Sequence, residues 1–259
     1  MIALQLLLLF SSPSADPADF FVPPQLDRFA HREMDDNLRT QAIDKVWESF
    51  EKEQKIYRAN REELKRAFFF GMSDINLSGD QLNATLVEYE RQLLEYQSKC
   101  FTFRVDMLDH VSDIKWAEYL NQLEEDATHQ TEREDKIIAQ LEEELQEFLD
   151  ELIPSLPVAQ QAPLKVYVRQ FRNDLLEHYR EYRSFDLHSH PMLRDQYATE
   201  AQLLKVAQLA NRHSTGVWYE FLEMRESLRS ALKADDWVAV TEPLDNLAKQ
   251  LMKLSLENF

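Results

Sequence analysis

The sequence predicts an all-α protein, and three observations lead there. Leu82, Leu86, Tyr89, Leu93, Tyr96, Cys100, Phe103 and Met107 alternate steps of four and three, an a/d seam over four heptads. No window alternates apolar and polar residues long enough to make a convincing strand. Only 3 glycines occur in 259 residues, against an average usage of about 7%, so tight β-turns and glycine-rich phosphate loops have little material. The reading is about six helices, paired as antiparallel hairpins in an elongated bundle.

Taken from the amino terminus, residues 2–10 are an apolar run with one glutamine, followed by Ser-Ser-Pro-Ser-Ala. The run is too short to span a bilayer and fits a secretory signal cut near Ser14 or Ala15, although no Lys or Arg precedes it. Residues 1–15 are therefore expected to be a signal peptide and the protein to be periplasmic or otherwise extracytoplasmic. Residues 16–34 are a Pro-rich leader carrying Phe20, Phe21 and Val22, an apolar plug for the body or for a partner.

Residues 38–70 repeat Ile43, Phe50, Tyr57 and Leu64 at intervals of seven, with charges opposite, which is an amphipathic helix. Gly71 to Gly79 breaks it, and the seam helix 80–108 folds back as a hairpin. That seam could instead pair two chains, making a homodimer through residues 82–107. His110-Val-Ser-Asp113 caps a further helix, which enters a stretch with 12 acids between 124 and 152 against Arg133 and Lys136. Three prolines in 153–163 mark the clearest boundary, separating a 35–152 hairpin region from a 164–259 helical region. Helices are expected from Leu164 to about Ser184, from about Met192 to Leu232, and from Val238 to Leu256, with Pro243 in the first turns of the last. The two ends of the body echo each other as long helix, break and amphipathic helix, with too few identities to establish duplication.

The chemistry expected is non-enzymatic. There is no G-x-S-x-G, H-E-x-x-H or P-loop. No histidine follows a glutamate by three, as a di-iron bundle requires. The lone Cys100 sits in the apolar seam and excludes an intramolecular disulfide. The formal charge of −18 repels nucleic acid and anionic lipid. Two constellations remain. Asp186, His188, His190 and Met192 mix hard and soft donors, which suits a divalent transition metal such as Cu, Ni or Zn; a polar loop capping the next helix is the plainer reading. Phe68, Phe69 and Phe70 are consecutive, so successive turns of about 100° point at least one away from the stripe. With Phe20 they are candidate anchors for a protein partner or an unfolded client.

Leu77-Ser78-Gly79-Asp80-Gln81 and Val111-Ser112-Asp113-Ile114-Lys115 resemble the LTxxQ motifs of Spy/CpxP-type periplasmic proteins, and residues 38–122 are similar to a degenerate version of that family. The resemblance implies a cradle-shaped helical hairpin and a role as an ATP-independent chaperone, an envelope-stress protein or a metal sensor. Serine stands where the first motif has threonine and lysine where the second has glutamine. The acidic charge departs from a basic cradle.

Overall fold

The computed structural model describes residues 21–23, 26–128, 146, 148–184 and 191–256, and among them every regular element is helical. The helices are α1 (Leu26–Glu33), α2 (Asn37–Gly71), α3 (Gly79–Leu108), α4 (Asp113–Thr128), α5 (Val158–Ser184), α6 (Pro191–Arg194), α7 (Glu200–Ala231) and α8 (Ala234–Leu256). Residues 148–155 are helical as well. The count exceeds six because α1 and α6 are too short for periodicity to reveal.

Local chemistry explains the boundaries. The Asp36 carboxylate starts α2 by accepting from the backbone N–H of Leu38 and Arg39, at 3.0 and 3.4 Å. Ser78 and Gln81 form a reciprocal capping box on α3, with bonds of 2.8 and 3.2 Å. Thr199 and Gln202 do the same for α7, at 2.9 and 3.4 Å. That box corrects the expectation of one helix from Met192. The Asp195 carboxylate accepts the Tyr197 N–H at 2.9 Å, a side-chain turn that stops α6, and the long helix begins only at Glu200. The Pro-rich boundary also narrows. Pro157 accepts from Gln160 and Gln161 at 2.8 and 3.1 Å, so α5 starts six residues before Leu164 and holds Pro163 in its early turns. Gly71 lets the α2–α3 hairpin close, since a Cβ there would lie 2.7 Å from Leu82 Cδ2.

The apolar stripes meet as expected. Tyr57 stacks on Tyr96 at 4.1 Å and Phe50 meets Phe103 edge-on at 5.9 Å, which makes α2 and α3 antiparallel. Seven of the eight seam residues of α3 are buried and Phe103 is half-buried. Their partners lie in the same chain, on α2 and on α7, so the seam is not a free dimer interface. Where α3 crosses α7, Gln97 and Asn211 exchange amide bonds of 2.9 and 2.8 Å. Helix α5 pairs with α7 and α8 lies along α2. The leader docks too: Phe21, Val22, Leu26 and Phe29 are buried, and Phe29 meets Tyr119 of α4 at 5.6 Å.

A constant offset runs through this arrangement. Helices α2, α3 and α4 begin at 37, 79 and 113, and α5, α7 and α8 begin 121 residues later, at 158, 200 and 234. The two capping boxes keep that spacing, and so do two buried arginines. Arg225 donates to the carbonyls of Met72 at 2.9 Å, Asp74 at 2.6 Å and Leu77 at 2.8 Å. Arg104 donates to Leu193 at 2.9 Å, Asp195 at 3.1 Å and Phe21 at 3.4 Å. Trp237 donates to the Ser73 carbonyl and Trp116 to that of Arg194, both at 2.8 Å. Each tryptophan also faces its arginine, at 5.7 Å for Arg225 and 5.5 Å for Arg104. Each half thus clasps the turn of the other.

Removing a clasp takes a donor from each of these carbonyls; those of Asp74 and Asp195 keep only a turn bond, from the N–H of Leu77 and Ala198 at 3.3 and 3.2 Å, and a buried carbonyl left with none costs about 1–3 kcal/mol. Arg104→Met and Arg225→Met are each expected to lower unfolding free energy by about 2–4 kcal/mol, read from urea midpoints. Arg91→Met, at an exposed ion pair, should leave the midpoint nearly unchanged.

Candidate interaction surface

The phenylalanine run divides as helix geometry requires. Phe68 and Phe69 are buried and Phe70 is 42% exposed. Phe68 and Phe69 lie 5.2 and 5.1 Å from Trp218 of α7. Tyr89 stacks on the same indole at 4.9 Å, and Phe221 joins Phe69 to Phe171 of α5 at 5.6 and 5.0 Å. This aromatic cluster ties four helices together. It removes Phe68 and Phe69 as surface anchors, because both rings are enclosed, and leaves Phe70. Phe20 lies outside the described residues, beside the buried Phe21. Asp186, His188 and His190 also lie outside them, and Met192 is half-buried against the core. Among the described residues no three His, Cys, Asp or Glu side chains come together as a metal site, and no helix is long and apolar enough to cross a membrane.

The surface that stands out was not singled out in the sequence. Val87, Leu94 and Val105 of α3 are 53%, 41% and 41% exposed. Their spacings of seven and eleven both return a helix to within about 20° of one direction, so they form a stripe about 27 Å long. Phe101 lies on the adjoining flank, half-buried. The signal was present as a second heptad spacing, Val87–Leu94–Phe101, beside the a/d seam. On α2, Ile56 and Phe70 are a second exposed pair.

Charge borders the stripe. Arg91 binds both oxygens of Glu88, at 2.8 and 2.6 Å, and also pairs with Glu95. The bonds from Arg91 and Gln92 hold the Glu88 carboxyl down at about 2. Lys99 is engaged by Glu53 at 2.6 Å. The exposed bases of α3 are therefore neutralised by carboxylates, and Asp80, Glu90 and Asp106 add negative charge along the same helix. No protein-family model, curated protein or solved structure matches the chain.

One buried base lies away from the stripe. Lys65 of α2 bonds Glu62 at 3.0 Å with both side chains enclosed. Burial above all, and nearby Arg61, lower its pKa from 10.5 to about 7, with Glu62 opposing both. Below pH 7 the lysine is charged whether folded or unfolded, and folding bears the full desolvation penalty. Between about pH 7 and 10.5 the unfolded chain binds the extra proton, so this group makes stability rise with pH, by at most about 1.4 kcal/mol per unit. Lys65→Met should therefore lack this slope, so that the wild type gains stability relative to the variant between about pH 7 and 10. Urea midpoints across that range test the slope.

Proposed function

We propose that the protein is an exported, non-enzymatic helical binding protein that holds apolar segments of unfolded polypeptides, in the manner of a Spy/CpxP-like chaperone. The observation that carries this is an asymmetry between the halves. The buried framework recurs at the 121-residue offset, as Leu82 with Leu203, Cys100 with Phe221, Met107 with Leu228 and Val111 with Leu232. The exposed stripe does not recur: Val87, Leu94 and Val105 correspond to Gln208, Thr215 and Glu226. The second half folds with polar residues at those three positions. Apolar side chains aligned on water without a structural need are a contact surface.

Its border selects the occupant. A segment with apolar residues flanked by lysine or arginine meets both the stripe and the carboxylates beside it. Contact of this kind is reversible, since the stripe offers only a few side chains at roughly 1.5–3 kcal/mol each. The net charge of −18 keeps the occupied protein soluble. Export supplies the setting, through the apolar run at residues 2–10. The likeness of Leu77–Gln81 to an LTxxQ motif is consistent with this role.

The test is suppression of aggregation of a chemically unfolded, basic client at stoichiometric protein. The wild type should suppress it. Val87→Ser/Leu94→Ser/Val105→Ser should lose most of the effect with its urea midpoint little changed, because all three positions are exposed. Phe70→Ser should lose less. No suppression by the wild type, or full suppression by the triple variant, rejects the proposal.

A further inference from the structure

We infer that this chain is a covalent dimer of one four-helix module, and that a second copy of the chain can occupy the interface between the modules by exchanging halves. The first module is α1 to α4. The second is the helix 148–155 with α5, α7 and α8. Three helix starts, two capping boxes, two arginines and two tryptophans keep a single spacing of 121 residues. A chance echo of helical hairpins would repeat the helices but not their hydrogen bonds.

Here the bonds themselves repeat, and they cross over. Arg225 and Trp237 of the second module reach the carbonyls of residues 72, 73 and 74 in the first. Arg104 and Trp116 of the first reach residues 193, 194 and 195 in the second, the same three positions. Within each turn an Asp carboxylate accepts the N–H two residues on, Asn76 to Asp74 and Tyr197 to Asp195, both at 2.9 Å. Residue i touching j while j touches i is the signature of an isologous twofold contact. The axis passes where α3 crosses α7, between the Gln97–Asn211 amide pair and the Tyr89–Trp218 stack. The departures are few. Arg104 takes its third carbonyl from Phe21, where Arg225 takes Leu77.

An interface of this kind makes no distinction between a module on the same chain and one on a neighbour. Exchange preserves every clasp, so the choice rests on the effective concentration of one module at the other within a single chain. Dilute folding favours the closed single chain; folding at high concentration populates a dimer in which each first module clasps the other chain's second module.

Two full-length chains test this in a Cys100→Ala background, one carrying Gln97→Cys and the other Asn211→Cys. They are unfolded together, refolded at high concentration and treated with a short bismaleimide. A cross-linked species of twice the chain mass is expected, about tenfold more abundant than when the chains are refolded separately and then mixed. It should unfold at the midpoint of the single chain, because its clasps are the same. A single chain carrying both cysteines, refolded dilute, should cross-link internally and confirms that the positions tolerate the change. If the co-refolded mixture yields no more dimer than the mixed one, or yields a dimer of lower midpoint, the inference fails.

Discussion

A guanidinium buried among backbone carbonyls sets the terms for the rest of the molecule. Burying a charge is expensive unless its donors are satisfied. Arg104 bonds carbonyl oxygens and faces an indole, and burial lowers its pKa to about 10 against the opposing pull of Tyr119 and Asp195. The arrangement persists because the turn carbonyls it meets have acceptor capacity to spare: that of Asp195 takes only a turn bond, from the Ala198 N–H at 3.2 Å. They lie where α6 ends and the turn before α7 begins, a place where backbone acceptors are left over. One arginine therefore solves the problem of a turn, and the turn solves the problem of the arginine. Since each arginine belongs to the opposite half, neither turn keeps its donors unless both halves are docked. The aromatic cluster around Trp218 joins α2 and α3 of the first half to α7 of the second.

What could be read in advance follows from this division. The a/d seam of α3, the stripe of α2 and the Gly71–Gly79 break were legible because an apolar stripe repeats at the helical period. α1 and α6 were not, with eight and four residues each. The Met192 start was misplaced because apolar spacing continues smoothly through Leu193 into Leu203, while the stop is written in the polar residues Asp195, Thr199 and Gln202. The arginines escaped for a different reason. A buried arginine on an amphipathic helix looks like any other charge beside the stripe, and only the carbonyls facing it reveal its position. The faint echo between the two ends became specific once those contacts were known, because the shared residues are few and almost all concern the clasps and core.

The candidate surface was legible only in part. Phe68, Phe69 and Phe70 were conspicuous by their run, yet two of them are core residues, since an aromatic run at the end of a long helix meets α7 as well as α3. Val87, Leu94 and Val105 were inconspicuous, scattered among Glu, Arg and Thr. Their exposure depends on which flank of α3 is covered by α7, and that is a tertiary fact.

The contrast between the modules gives the surface its meaning. In the second half the position matching Leu94 is Thr215, buried and bonded to the Asn211 carbonyl at 2.9 Å. The position matching Val105 is Glu226, which pairs with Arg225 and packs over Gly79, where a Cβ would lie 2.9 Å from its carboxyl carbon. Glu226 thereby serves the docking of the halves, while Thr215 turns its hydroxyl back onto its own helix. The first half meets the same demands differently: the leader through Phe21 supplies the carbonyl that completes the Arg104 clasp, and Ser98 bonds Glu200 at 2.7 Å. With those contacts made elsewhere, Leu94 and Val105 are released from structural duty. Two copies of one module can thus keep a common frame while one of them turns a flank toward a partner.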